Sequence, residues 1–227
     1  AGKGTRIKHY SKYINKSLLP INNKPIISHI IDKFPDKSNF VIALGYLGQQ
    51  VRSFLKIAYS NKNIKFVNIK KFSGKNTGPG RSLYECRKYL NRPFYFVSCD
   101  TIWKEKITLS KKNWMGVNKN FIKKNEEFCN LKVKGNKILK IIDKKKVKKP
   151  NKHFIGLAFV ENYTNFWDGF QKMDKIKGEF QISMGFKKLL KETNVFTKKF
   201  RWFDVGTLNN YKNTLEKFEK YDFSKDN

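Results

Sequence analysis

A chain of 227 residues with 39% hydrophobic and 15% aromatic residues carries enough apolar mass for one packed domain, and disorder is not expected over most of its length. The formal charge of +31 invites a nucleic-acid reading, yet only six of the 49 basic residues are Arg and the lysines run along the whole length, so a biased, solvated surface is expected and nucleic acid is not the expected partner. No apolar run approaches the ~18 to 20 residues of a membrane span and no signal peptide opens the chain, so a soluble, cytoplasmic protein is expected.

Ala1-Gly2-Lys3-Gly4-Thr5-Arg6 is a glycine-rich loop. Such loops follow a buried strand, so a strand is expected ahead of Ala1. Ile26 to Phe34 repeats at helical spacing and stops at Pro35, and Phe40-Val-Ile-Ala-Leu44 is a wholly apolar run closed by Gly45, the pattern of a buried parallel strand. A helix is predicted over 49–59, a strand over 64–69, a Gly/Asn/Pro-rich loop over 71–80, a helix over 82–90 and a strand over 93–97 that ends at Ser98-Cys99-Asp100. This alternation predicts right-handed crossovers and a mostly parallel sheet. The second half is more mixed. Strands are predicted over 114–117, 127–133, 138–142, 154–160 and 196–203, helices over 162–173, 181–192 and 209–221, and a basic loop over 143–150.

Cys86, Cys99 and Cys129 contain no C-x-x-C pair and no even disulfide framework, which excludes a zinc ribbon and fits a reducing compartment. His9, His29 and His153 are isolated and read as structural or surface residues. The first loop offers close backbone approach, free N–H groups and two cations, which is what a triphosphate needs, but short glycine pairs are also common in turns. Asp100 and Asp204 end predicted strands and could converge on one Mg²⁺; each alone would read as a turn residue.

Taken together, G-x-G-T-R at Gly2–Arg6, then Lys16, then Leu18-Leu19-Pro20 with Lys24-Pro25 resembles the opening signature of the sugar-phosphate nucleotidyltransferases, the nucleotide-diphospho-sugar pyrophosphorylases and their cytidylyltransferase-like kin. The resemblance continues through Ala43-Leu44-Gly45-Tyr46, Gly78-Pro79-Gly80-Arg81-Ser82-Leu83, Val97-Ser98-Cys99-Asp100, Gly178-Glu179 and Trp202-Phe203-Asp204-Val205-Gly206-Thr207, with residues 101–175 least well matched. It departs at Cys99, where the family more often has Gly. The resemblance implies a Rossmann-like three-layer α/β/α fold with a mostly parallel mixed central sheet. It implies one domain over 1–227, with about 1–110 holding the nucleotide and about 111–227 the acceptor.

The same resemblance implies catalytic Arg6 and Lys16, with nucleotide contacts from Gly2, Lys3, Gly4, Thr5, Asn76, Thr77 and Gly80. Acceptor contacts fall to Lys144 and Glu179, and Mg²⁺ ligands to Asp100 and Asp204. The implied reaction moves a nucleoside monophosphate from UTP, CTP or dTTP to a sugar 1-phosphate and releases pyrophosphate. A cytidylyltransferase acting on phosphocholine or another phosphorylated alcohol or phosphonate is the alternative. For that acceptor, Trp103, Trp114, Tyr163, Phe166 and Trp167 are candidates for an aromatic cage, against a reading as core. A basic nucleic-acid-binding protein is the alternative from another class.

Overall fold

The computed structural model describes residues 1–7, 9–118, 128–143, 152–171 and 178–219. After the glycine loop and a short helix, Tyr10–Tyr13 (α1), the chain makes a tight hairpin of Pro20–Ile21 (β1) and Lys24–Pro25 (β2). Asn22 and Asn23 turn it at φ 46° and 58°, a pairing of left-handed residues that matches the twist of the flanking strands and that Asn tolerates. Ile26–Ile31 (α2) follows and buries Ile26, Ile27 and Ile31.

The apolar run becomes Asn39–Leu44 (β3), and Gly48–Ala58 (α3) leads to Asn63–Asn68 (β4). β3 and β4 lie parallel from Asn39↔Asn63 to Leu44↔Asn68, as two strands joined by a helical crossover must. Val51 and Leu55 on one face of α3 pack with Leu44, Ile27 and Ile31 into a common cluster. Pro79–Glu85 (α4) starts earlier than predicted, because Pro79 fits the first helical turn, and it ends in a 3₁₀ turn over Arg87–Tyr89. Phe94–Val97 (β5) and Thr101–Trp103 (β6) flank Asp100.

The second half supplies Trp114–Asn118 (β7), Cys129–Lys134 (β8), Lys137–Asp143 (β9), Lys152–Val160 (β10), Tyr163–Asp168 (α5), Ser183–Glu192 (α6), Phe196–Phe200 (β11), Trp202–Asp204 (β12) and Leu208–Glu219 (α7). Six strands form one sheet in the order β5-β10-β7-β11-β9-β8, and Lys152 and His153 of β10 also pair with β8, closing a ring of five strands. A mixed α/β fold is thus present, but this sheet is mostly antiparallel. β7–β11 is its parallel pair. The difference from the expected parallel sheet has a local cause: β8 and β9 are joined by a two-residue turn at Gly135-Asn136, with Gly135 at φ 58°, and so short a connection permits only antiparallel pairing.

The single strand expected over 196–203 is two strands in different sheets. Between them the Arg201 backbone N–H donates to the Glu105 carboxylate at 3.1 and 2.9 Å instead of to a neighbouring strand. The proposed aromatic cage is core. Trp103, Trp114 and Phe166 are buried, Trp167 stacks on Phe94 with ring centroids 5.4 Å apart, and Tyr163 packs on the same cluster. Among the described residues no helix is long and apolar enough to cross a membrane.

Candidate active site

Lys16 opens a 3₁₀ turn, Lys16–Leu18, whose cap is Asn15. The Asn15 side chain accepts from the Ser17 N–H at 3.0 Å and the Ser17 hydroxyl at 2.8 Å, and its own amide donates to the Tyr46 carbonyl at 2.7 Å. The Asn15 N–H donates to Gln50 Oε1 at 2.8 Å, so the turn is fastened to the loop between β3 and α3 and to the first turn of α3 itself. Lys16 is thereby buried, with its Nζ 2.8 Å from Asp100 Oδ2 and 3.3 Å from the Gly206 carbonyl. Gly4 is held against it: at φ +67° a Cβ there would stand 3.3 Å from Lys16 Cβ and 3.4 Å from Ser11 Cβ.

Asp204 reaches the same place through strand pairing. β12 runs antiparallel to β6 with Asp204 opposite Thr101, which sets it beside Asp100. A Cβ on Gly206 would lie 2.8 Å from Asp204 Oδ1 and 3.6 Å from Asp100 Oδ2, so both carboxylates look onto one small space that only a glycine leaves open. The Gly206 N–H donates to Asp204 Oδ1 at 2.7 Å, and Asn210 holds the other oxygen.

The two acids differ electrically. Burial pushes the Asp100 carboxyl up, but the charge and hydrogen bond of Lys16, helped by Arg6, outweigh it and hold Asp100 below the usual carboxylate range. Burial also pushes Asp204 up, the Gly206 N–H opposes this, the nearby Asp100 charge adds to it, and the net direction is upward.

These groups stand at one end of a cleft of about 1740 Å³. Gly2, Gly4, Thr5 and Arg6 line it, as do Lys16, Asp100 and Gly206. Lys3 is exposed beside that loop and is not among its lining residues. Across the cleft, the loop before α4 is clamped to the chain before α6: Phe180 N–H donates to the Thr77 carbonyl at 2.7 Å and Gly80 N–H to the Phe180 carbonyl at 2.8 Å. Thr77 and Gly78 line the cleft, whereas Asn76, at φ 60°, accepts from the Gly178 N–H at 3.3 Å, and Gly80 is buried in the clamp. Glu179 lines the large cleft beside Gly78 and accepts from Gln181 at 2.9 Å. Lys144 lies outside the described residues.

A recess of about 160 Å³ opens on the far side of Arg6, Asp100 and Asp204. Phe128, Phe154 and Trp202 line it, together with Cys129, Asp143 and Ser183. Phe128 meets Trp202 edge to face at 6.0 Å. Asp143 accepts from Ser183 Oγ at 2.8 Å and pairs with Lys187. Burial, then the Asp143 charge, pushes the Cys129 thiol well up, so it is no nucleophile. Asn15, Asn210, Asp143 and the recess aromatics were not singled out as site residues from sequence; of these Trp202 carried a signal, as the first residue of the W-x-D-x-G-T segment, and so did Asp143, as the residue before Lys144.

No family model matches the chain. It is similar to the bifunctional protein GlmU of Methanococcus vannielii, 24% identical over 243 residues that cover 96% of this chain and 55% of that protein. The chain spans about half the length of the curated relatives it matches over most of its own length. Its fold is similar to that of a putative glucose-1-phosphate thymidylyltransferase from Bacillus anthracis, with a TM-score of 0.78 at 20% identity, covering 99% of this chain and 94% of that one. It is similar as well to the CTP:phosphocholine cytidylyltransferase of Streptococcus pneumoniae, with a TM-score of 0.76 at 20% identity and 95% of each chain covered. At these identities the structural likeness establishes the fold.

Proposed function

We propose that this chain, which belongs to the nucleotide-sugar pyrophosphorylase family of nucleotidyltransferases, transfers a nucleoside monophosphate from UTP, CTP or dTTP to a sugar 1-phosphate and releases pyrophosphate. The observation that carries the reading is the convergence of Gly4, Lys16, Asp100 and Gly206 on the cleft, with Asp204 beside Asp100 on its recess side. In this reading the protein is cytoplasmic. Residues of about 1–110 hold the nucleotide in a Rossmann-like, three-layer half, and about 111–227 hold the acceptor.

The reaction joins two anions. An oxygen of the acceptor phosphate attacks the α-phosphorus, a new P–O bond forms, the α–β bridging bond breaks, and its electron pair leaves on pyrophosphate. The nucleophile is already ionised at neutral pH, so positioning and charge neutralisation are the main requirements. The amides of Gly2, Lys3, Gly4 and Thr5 face the phosphates in this reading, Arg6 and Lys16 offset their charge, and Thr77 contacts the base from the loop that Asn76 and Gly80 hold in place. Lys144 and Glu179 contact the acceptor.

Asp100 and Asp204 suit Mg²⁺: two hard carboxylates open onto one space, one of them kept ionised by Lys16, and Mg²⁺ sites commonly combine one or two carboxylates with substrate phosphates. When bound, the ion supplies Lewis acidity and charge neutralisation at the reacting phosphates.

Phosphocholine or a related phosphorylated alcohol is the second reading. Phe128, Phe154 and Trp202 around the recess, with Asp143 beside them, are what a quaternary ammonium would contact. The test is pyrophosphate release with Mg²⁺ across the four ribonucleoside triphosphates and dTTP, each against sugar 1-phosphates, phosphocholine and aminoalkyl phosphonates. A single productive sugar pair supports the first reading, and turnover with phosphocholine alone supports the second. Silence across the panel from folded protein overturns both.

A further inference from the structure

The hairpin of β8 and β9 turns one face to the core through Leu131, Val133, Ile138 and Ile141. Its other face is a ladder of lysines. Lys132 stands directly opposite Lys140, and Lys134 directly opposite Lys137, and all four are exposed. Like charges placed directly across two strands weaken the pairing, and opposite charges there would strengthen it. None of the four takes part in a salt bridge among the described residues, whereas Lys16, Lys24, Lys62, Lys187 and Lys188 each have an acidic partner.

Two apolar side chains are set among these charges. The register shifts between Lys132↔Lys140 and Val133↔Ile138, so β9 carries one residue more than β8 there, and the extra residue is Leu139. In strict alternation Ile138 and Lys140 would share a face. The bulge instead keeps Ile138 and Ile141 buried and turns both Leu139 and Lys140 outward, with Leu139 49% exposed. Towards the hairpin's tip, Phe196 of β11 stands opposite Lys137, and the exposed Lys112 places its Nζ over the half-buried Phe196 ring, 5.5 Å from the centroid. Directly opposite residues share a face, so Lys112 extends the same ladder.

We propose that this face docks the protein reversibly on an anionic phospholipid surface, with Leu139 as the apolar anchor and Lys112, Lys132, Lys134, Lys137 and Lys140 as the charge contacts. The chemistry is complementary on both counts. Lysine stems lie along apolar surface while their ammonium groups reach headgroup phosphates, and an outward leucine enters the headgroup boundary. A nucleic acid would match the charge but not the leucine, and none of the five cations is Arg, the residue suited to bidentate phosphate contacts. None of these residues lines the cleft or the recess, so the inference does not rest on the catalytic reading.

The test is co-sedimentation with vesicles of phosphatidylcholine alone and of phosphatidylcholine mixed with phosphatidylglycerol. Binding to the mixed vesicles is expected to be at least about tenfold tighter and to weaken as salt is added. Lys134→Gln combined with Lys137→Gln is expected to lower that affinity by about tenfold or more, with Tm equal or higher because a like-charge pair is relieved. Lys191→Gln combined with Lys212→Gln removes the same charge from exposed positions on α6 and α7 and is expected to change it by less than about twofold. Leu139→Gln is expected to weaken vesicle binding by about tenfold with net charge unaltered. Equal losses in the two double variants overturn the proposal, since net charge alone would then explain binding. No preference for the mixed vesicles overturns it, as does an unaffected Leu139→Gln. Binding to polyuridylate without binding to either vesicle assigns the lysines to nucleic acid and overturns it as well.

Discussion

Lys16 and Asp100, 84 residues apart in sequence, meet at 2.8 Å with side chains 10% and 27% exposed. The pair joins the glycine-loop segment to the end of β5, so it is both a tether between two parts of the fold and a polarised element of the candidate site. Removing one partner of a largely buried pair costs more than the pair contributes, because the other charge is left without its counterion.

Lys16→Ala is therefore expected to lower turnover by about 10²- to 10³-fold, the range found when a charge-stabilising donor is removed. It should also lower Tm. The pH dependence has a definite sign: Asp100 is held below its ordinary value, so its stabilising contribution is present above the unfolded carboxylate value and is lost as pH falls through the folded one. Thermal melts between pH 7 and pH 2 should show the gap between wild type and variant closing toward acid. A constant gap would mean that the ion pair is not its source.

Asp204 behaves in the opposite sense. Burial and the Asp100 charge push its carboxyl up, so in the absence of a bound cation its ionised form opposes folding, and the opposition is relieved as pH falls. Asp204→Asn is expected to raise Tm at pH 7 without added metal and to give no gain near pH 3, where the carboxyl is protonated in both states. Under the proposed function the same variant loses Mg²⁺-dependent pyrophosphate release. The Asn210 amide can turn over to keep its bond to the new side chain, so folding should survive.

The residues that share this space were legible in the sequence to an uneven degree. Gly4, Lys16, Asp100 and Asp204 sit in short segments with fixed internal spacing, and spacing survives in a linear text. Asn15 and Asn210 were not legible, because each acts on a partner that only the fold supplies: Asn15 binds a carbonyl 31 residues away, and Asn210 reaches Asp204 because α7 packs back on β12. The β3–α3–β4 unit was readable from an apolar run, a helical period and a second strand. The ring of β7 to β11 was not, since period-2 patterning locates strands but says nothing of which neighbour they take or in which direction. The turn at Gly135 was the one local clue to antiparallel pairing there. Nor did patterning foresee the break at Arg201, which depends on Glu105.

Gly4→Ala probes the loop without touching charge. The residue stands at φ +67°, where an L side chain costs about 1–2 kcal/mol, and the new Cβ would press on Lys16 Cβ at 3.3 Å. Tm should fall by a few degrees while turnover falls further than the stability loss explains, because the displaced side chain is the one that holds Asp100. Measuring turnover well below Tm separates the two effects, and unchanged turnover there would remove Gly4 from the site.

The recess makes the last prediction the most discriminating for substrate. Trp202 and Phe128 form its aromatic edge, and Trp202 Nε1 is buried with no partner among the described residues. Leaving such a donor unsatisfied costs about 1–3 kcal/mol, and the prediction for a sugar 1-phosphate is that an acceptor oxygen takes up this bond on binding. Trp202→Phe keeps the ring and removes the donor. Its KM for a sugar 1-phosphate is expected to rise about tenfold, with the KM for the nucleoside triphosphate unchanged and Tm equal or higher. An acceptor held by the ring face alone, as a quaternary ammonium would be, predicts little change in Trp202→Phe and a large one in Trp202→Ala. The two substitutions measured side by side thus distinguish the acceptor classes, and a rise in nucleotide KM in either would place the recess on the wrong side of the reaction.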